Sequence, residues 1–156
     1  MAGQEMMARA GSRQVGLRRV GAREGVTPDI SVRLVAALLA LAVAAVHVAD
    51  QGGVTVLNSP AWIGWGYRLV EVGGVLTALA VLIARPAWLG WAAGALLGTG
   101  PFIAYIASRT VGVPGDPHDV GNWGYWIGTV SLIAEAALVT LSAGMLLALR
   151  PRPASG

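Results

Sequence analysis

The chain has 156 residues, of which 55% are hydrophobic and only 12% charged, against roughly 25% charged in a soluble domain. Mean hydropathy is +0.64, and the formal net charge of +3 comes from 11 basic residues, all of them arginine. With no cysteine and no lysine, disulfides, thiolate metal sites, Fe–S clusters, cysteine catalysis, Schiff-base chemistry and a P-loop lysine are excluded.

Residues 1–30 hold Arg9, Arg13, Arg18, Arg19 and Arg23, five glycines and hardly any apolar cluster. They read as a disordered basic tail. Beside a cytoplasmic leaflet each arginine near the surface gains ~1 kcal/mol from anionic lipid. Nucleic acid is not the expected partner, because base stacking needs interleaved aromatics and the tail has none. A signal-peptide reading, with residues 34–48 as its apolar core, is disfavoured by the long basic stretch before it and the three spans after it.

Four apolar segments follow, at about 31–50, 65–84, 87–107 and 123–149. Each reaches the ~20 residues that cross a ~30 Å hydrocarbon core at 1.5 Å per residue. Their apolar residues surround the helix and show no alternation of period two, which excludes strands. The expected fold is all-α: a four-helix transmembrane bundle occupying residues 31–149, with 150–156 a second cytoplasmic tail. Pro86 stops the second helix and the third follows at once. The stretches 51–64 and 109–122 are longer loops, the latter rich in Gly, Pro and Asp. Trp62, Trp65, Tyr67, Trp123, Tyr125 and Trp126 flank these loops as an aromatic belt, with Trp88 and Trp91 marking the opposite interface.

Orientation follows from arginine positions. With the N terminus in the cytoplasm, only Arg68 and Arg109 lie outside, and the other nine arginines lie inside. The expected topology is therefore N-in, C-in, in a bacterial plasma membrane.

The remaining ionisable residues gather in the outer half. His47 and Asp50 end the first helix, and Arg68 and Glu71 begin the second. Arg109 ends the third, Asp116, His118 and Asp119 lie in the next loop, and Glu135 is inside the fourth. A charged side chain at the bilayer centre costs roughly 2.5–3.5 kcal/mol on insertion scales. Glu135, ~13 Å into its helix, must therefore be protonated, paired or turned to a cavity. Gly124, Gly128, Ser131, Glu135 and Ser142 form one small, polar stripe that should face the bundle interior. Arg68 and Glu71, or Arg109 and Asp116, are possible interfacial ion pairs at the helix ends. The expected geometry is a funnel between the first, second and fourth helices. Glu135 forms its floor, His47 and Glu71 its walls, and the loop with Asp116, His118 and Asp119 its lid.

Packing alone accounts for such a polar core, and a functional site competes with it. His47, Glu71, Glu135 and His118 have metal-ligand chemistry, but no HxxxH or HExxH spacing supports a site, so no metal is expected. Bis-His haem would need loop residue His118, and no cofactor is expected. No GxGxxG, GxxxxGK[ST] or GxSxG motif occurs. Gly90, Gly94 and Gly98, and Gly124 with Gly128, allow the third and fourth helices to approach closely.

The run Ser108-Arg109-Thr110-x-Gly112-x-Pro114-Gly115, then Asp119-x-Gly121-Asn122-Trp123 and Glu135, resembles small four-span membrane proteins of high-GC Gram-positive bacteria. In these a first helix ending in His, here His47, accompanies an SRTxGxPG-like loop and a buried Glu. The resemblance covers residues 34–149, departs in the first loop, and implies a fold but no chemistry. Size and topology alone are also similar to DoxX-type four-span proteins. The preferred functional expectation is a non-enzymatic structural or accessory subunit, as a homo-oligomer or with a partner membrane protein. The alternatives are a small oligomeric proton or ion carrier centred on Glu135, and a metal- or quinone-linked redox protein.

Overall fold

The computed structural model describes residues 28–150; the arginines of the N-terminal tail and the last six residues lie outside them. Four α-helices follow one another: α1 (Ile30–Gln51), α2 (Ala61–Ile83), α3 (Trp88–Thr110) and α4 (Trp126–Ala148). Each is 22 or 23 residues long and apolar enough to cross a membrane. The second span begins four residues before its expected start because Pro60 opens α2, and the fourth begins three residues late.

The helices run up and down. One end of the bundle carries the short α2–α3 turn with the start of α1 and the end of α4. The other carries the two long loops. Asp29 caps α1 by accepting from the Ser31 amide at 2.8 Å. Gly52 ends it at φ +88°, a left-handed conformation that glycine adopts without penalty. The α2–α3 turn is four residues, with the Leu89 amide donating to the Pro86 carbonyl at 3.2 Å.

Each helix packs on its two neighbours around the bundle, and α1 also meets α3 across the diagonal whereas α2 does not meet α4. Small residues make this closeness possible. A Cβ at Gly74 would stand 2.7 Å from the Ala40 carbonyl and from Ala44 Cβ, so α1 and α2 are nearly in backbone contact there. A Cβ at Gly98 would stand 2.7 Å from the Glu135 carbonyl oxygen, and one at Gly94 2.5 Å from Ser142 Oγ. These two glycines bring α3 against α4. Gly90 serves the short-turn end instead, lying against Ala80 and Val81 of α2.

The apolar core is thin: alanines of α1, Val43, Ala78, Val81, Trp91 and Leu138. Trp91 is fully buried, not an interfacial residue as its position beside the turn suggests; it fills the space left by the small side chains of α1. The outward faces are apolar. Trp62, Trp65, Trp88, Trp123 and Trp126 are about half exposed or more, the surface a membrane helix offers to lipid.

Candidate functional site

At the long-loop end the two loops interlock. Trp62 Nε1 donates to the Pro114 carbonyl at 3.2 Å, and Gly115, at φ +87°, lies so close to Pro60 that a Cβ would touch the ring. The loop after α3 turns through a 3₁₀ element, Pro117–Asp119, and the Gly121 amide returns to the Arg109 carbonyl at 2.9 Å. That turn sets the partner of Arg109. The guanidinium pairs with Asp119 rather than Asp116, and its Cζ sits 4.5 Å over the Tyr105 ring. The Asp116 amide donates to the Val113 carbonyl at 3.1 Å within the same loop, and His118 is exposed.

Arg68 and Glu71, one helical turn apart on α2, form an ion pair. Arg68 also donates to the Val56 carbonyl of the first loop, and buried Gln51 donates to the same oxygen at 2.6 Å. The first loop is thus held by side chains of α1 and α2. Glu71 is buried and its Oε1 has no hydrogen-bond partner.

Asp50 is held by two phenols, Tyr67 of α2 and Tyr125 just before α4. Tyr67 donates to Oδ2 at 2.5 Å and Tyr125 to Oδ1 at 2.6 Å. Sequence reading places both tyrosines in the interfacial belt, yet they turn inward to this carboxylate. A signal for Tyr67 exists: Gly64, Tyr67, Glu71 and Gly74 follow helical spacing on one face, and Gly64, Glu71 and Gly74 are buried. Tyr125, just outside α4, has its phenol pushed up to about 12 by the hydrogen bond to Asp50 and by burial. Around this carboxylate lies a polar cavity of about 200 Å³. Tyr67, Tyr125, Asn58, Asn122 and the Arg109–Asp119 pair complete its lining.

One turn down α1 from Asp50, the ring of His47 lies with its centroid 5.5 Å from that of Tyr67. His47 Nδ1 is 2.9 Å from the Val43 carbonyl. A carbonyl only accepts, so Nδ1 carries a proton and Nε2 is left for the interior. Nε2 stands 3.9 Å from Glu135 Oε1. Glu135 is 1% exposed; Oε1 accepts from Ser131 Oγ at 2.6 Å, and Oε2 has no partner. A neutral imidazole would present a lone pair to the carboxyl, and an imidazolium a proton.

The polar residues thus form two layers. The cavity layer holds Asp50, Arg109 and Asp119, and the deeper layer holds His47, Ser131 and Glu135. Glu71 pairs beside them with Arg68, and Asp116 and His118 stand outside both. Of the polar stripe on α4, Gly128, Ser131, Glu135 and Ser142 are buried, whereas Gly124 precedes the helix and is exposed. Among the described residues no group of three or more His, Asp or Glu side chains is placed to hold a metal ion. No protein-family model matches the chain, and no curated protein or solved structure is significantly similar to it.

Proposed function

We propose that the chain is a multi-pass protein of the bacterial plasma membrane, N-in and C-in, that takes up and releases a proton at His47–Glu135 from the outer face. The observation that carries this is the pair itself. A carboxyl 1% exposed lies 3.9 Å from an imidazole nitrogen, and its second oxygen has no partner. Asp50 and the Tyr67 ring stand between the pair and the polar cavity, so the way in lies through the long-loop end. With nine of 11 arginines on the other side in the N-in arrangement, that end faces outward.

Beyond Glu135, toward the short-turn end, the buried polar side chains are Ser142, Thr77 and then Arg33, and no described hydrogen bond links them to Glu135. A single copy therefore offers an outer half-path. This suits a non-enzymatic accessory role, in which a second copy or a partner membrane protein completes the route.

Reconstitution into sealed liposomes carrying an internal pH-sensitive dye tests the reading. The wild-type protein should move protons under an imposed gradient, alone or with the partner that copurifies from native membranes, and Glu135→Gln should not. Equal flux from wild type and Glu135→Gln would leave the polar core as packing.

A further inference from the structure

We infer that the cavity above Asp50 is a binding site for a primary ammonium group. This goes beyond proton exchange at Glu135 and stands on different residues. Among the described residues the ion pairs are His47–Glu135, Arg68–Glu71 and Arg109–Asp119. His47–Glu135 counts as one only when the imidazole is protonated, and Asp50 belongs to none of the three. Its two oxygens accept one phenol each, and a carboxylate has about four acceptor sites, so each oxygen retains one.

The charge of the lining follows directly. Asp119 is neutralised by Arg109, and Asp50 leaves the cavity with one net negative charge. That charge is half-buried, where its attraction for a cation is screened less than at an open surface.

Size and lining then narrow the class. At about 200 Å³ the space is below the ~300–1,000 Å³ of pockets that enclose drug-sized ligands, and suits a head of a few heavy atoms. A divalent ion seeks several carboxylates and six or more oxygens, and only one uncompensated carboxylate is present. A primary ammonium carries one charge and three donors. Asp50 accepts from it, and the side-chain amides of Asn58 and Asn122 in the lining offer further acceptors. The ammonium can come from a free small amine or from the headgroup of an aminolipid, since the long loops lie where headgroups lie.

Binding of methylammonium chloride to the full chain, followed by saturation-transfer NMR in nanodiscs, tests the assignment and separates the two sources. In discs of phosphatidylglycerol the wild type should bind methylammonium, and Asp50→Asn should bind it roughly tenfold or more weakly. Glu135→Gln should bind it as the wild type does, even if proton flux is lost. Replacing half the lipid by phosphatidylethanolamine should lower the methylammonium signal if the headgroup is the occupant, and leave it unchanged if a soluble amine is. Because Asp50→Asn also disturbs two tyrosines, the wild type itself supplies a second readout: acetate should not bind, and tetramethylammonium, which has no N–H donor, should compete poorly. Absence of methylammonium binding by the wild type, equal binding by Asp50→Asn, or tetramethylammonium competing as well as methylammonium would overturn the proposal.

Discussion

The two ends of the bundle treat buried charge in opposite ways. At the short-turn end, buried Arg33 of α1 donates to the carbonyls of Val81 and Leu82 at 2.7 and 3.3 Å. These are among the last carbonyls of α2, which have no partner within their own helix and carry the negative end of its dipole. The cation is therefore satisfied by backbone, which does not titrate. At the long-loop end, Asp50 and Arg109 are held by ionisable side chains, Arg68 is shared between Glu71 and the Val56 carbonyl, and Glu71 and Glu135 each keep an oxygen without a partner. A charge held by backbone fixes the fold. A charge held by other ionisable groups, with acceptor capacity left over, remains able to exchange.

Substitutions that sharpen this contrast begin with the glycine contact that holds α3 against α4. Gly98→Val should destabilise the bundle by about 3 kcal/mol, the upper end of overpacking costs, because its Cβ would meet the Glu135 carbonyl and Val139. Reversible unfolding in mixed micelles measures it. An unchanged midpoint would mean that α3 and α4 are less tightly apposed than described. Arg33→Met removes a charged donor from two carbonyls and should cost about 2 kcal/mol, while leaving proton exchange at the other end intact. If exchange fell as steeply as stability, the two ends would not be separable.

Tyr125→Phe is milder, at about 1 kcal/mol, since Tyr67 still holds Asp50. Its pH dependence has a definite sign. The phenol is raised from 10.0 to about 12, so its contribution is complete below pH 10 and lost as pH rises through about 12. Ultraviolet titration should show a late-ionising tyrosine that Tyr125→Phe abolishes. The smallest effect is expected from His118→Ala and Asp116→Asn, under about 0.5 kcal/mol, because neither residue lines the cavity nor joins an ion pair. A large effect there would restore to the loop the lid role that its composition suggests.

What the sequence reveals follows the range of the interaction. The four helices, the inward stripe on α4 and the Arg68–Glu71 pair depend on spacing within one element, and each is legible there. The Asp119 partner of Arg109 is not, because three residues of 3₁₀ turn decide which of two aspartates reaches the helix end. Tyr67 and Tyr125 sit where interfacial aromatics are ordinary, and only the meeting of α1, α2 and α4 turns them to Asp50. Trp91 enters the core because α1 contributes little but alanine. Each of these depends on two elements at once, and no single segment records it.

The proposed exchange at Glu135 is tested most directly by infrared difference spectroscopy on protein oriented in sealed vesicles, with pH stepped on the outer side alone. The expected result is a carboxylic C=O band that appears and disappears with external pH, is lost in Glu135→Gln, and shifts in frequency in Ser131→Ala as its hydrogen-bond donor is removed. A spectrum that does not respond to external pH, or one that Glu135→Gln leaves unchanged, would contradict exchange at His47–Glu135 and leave the pair as packing.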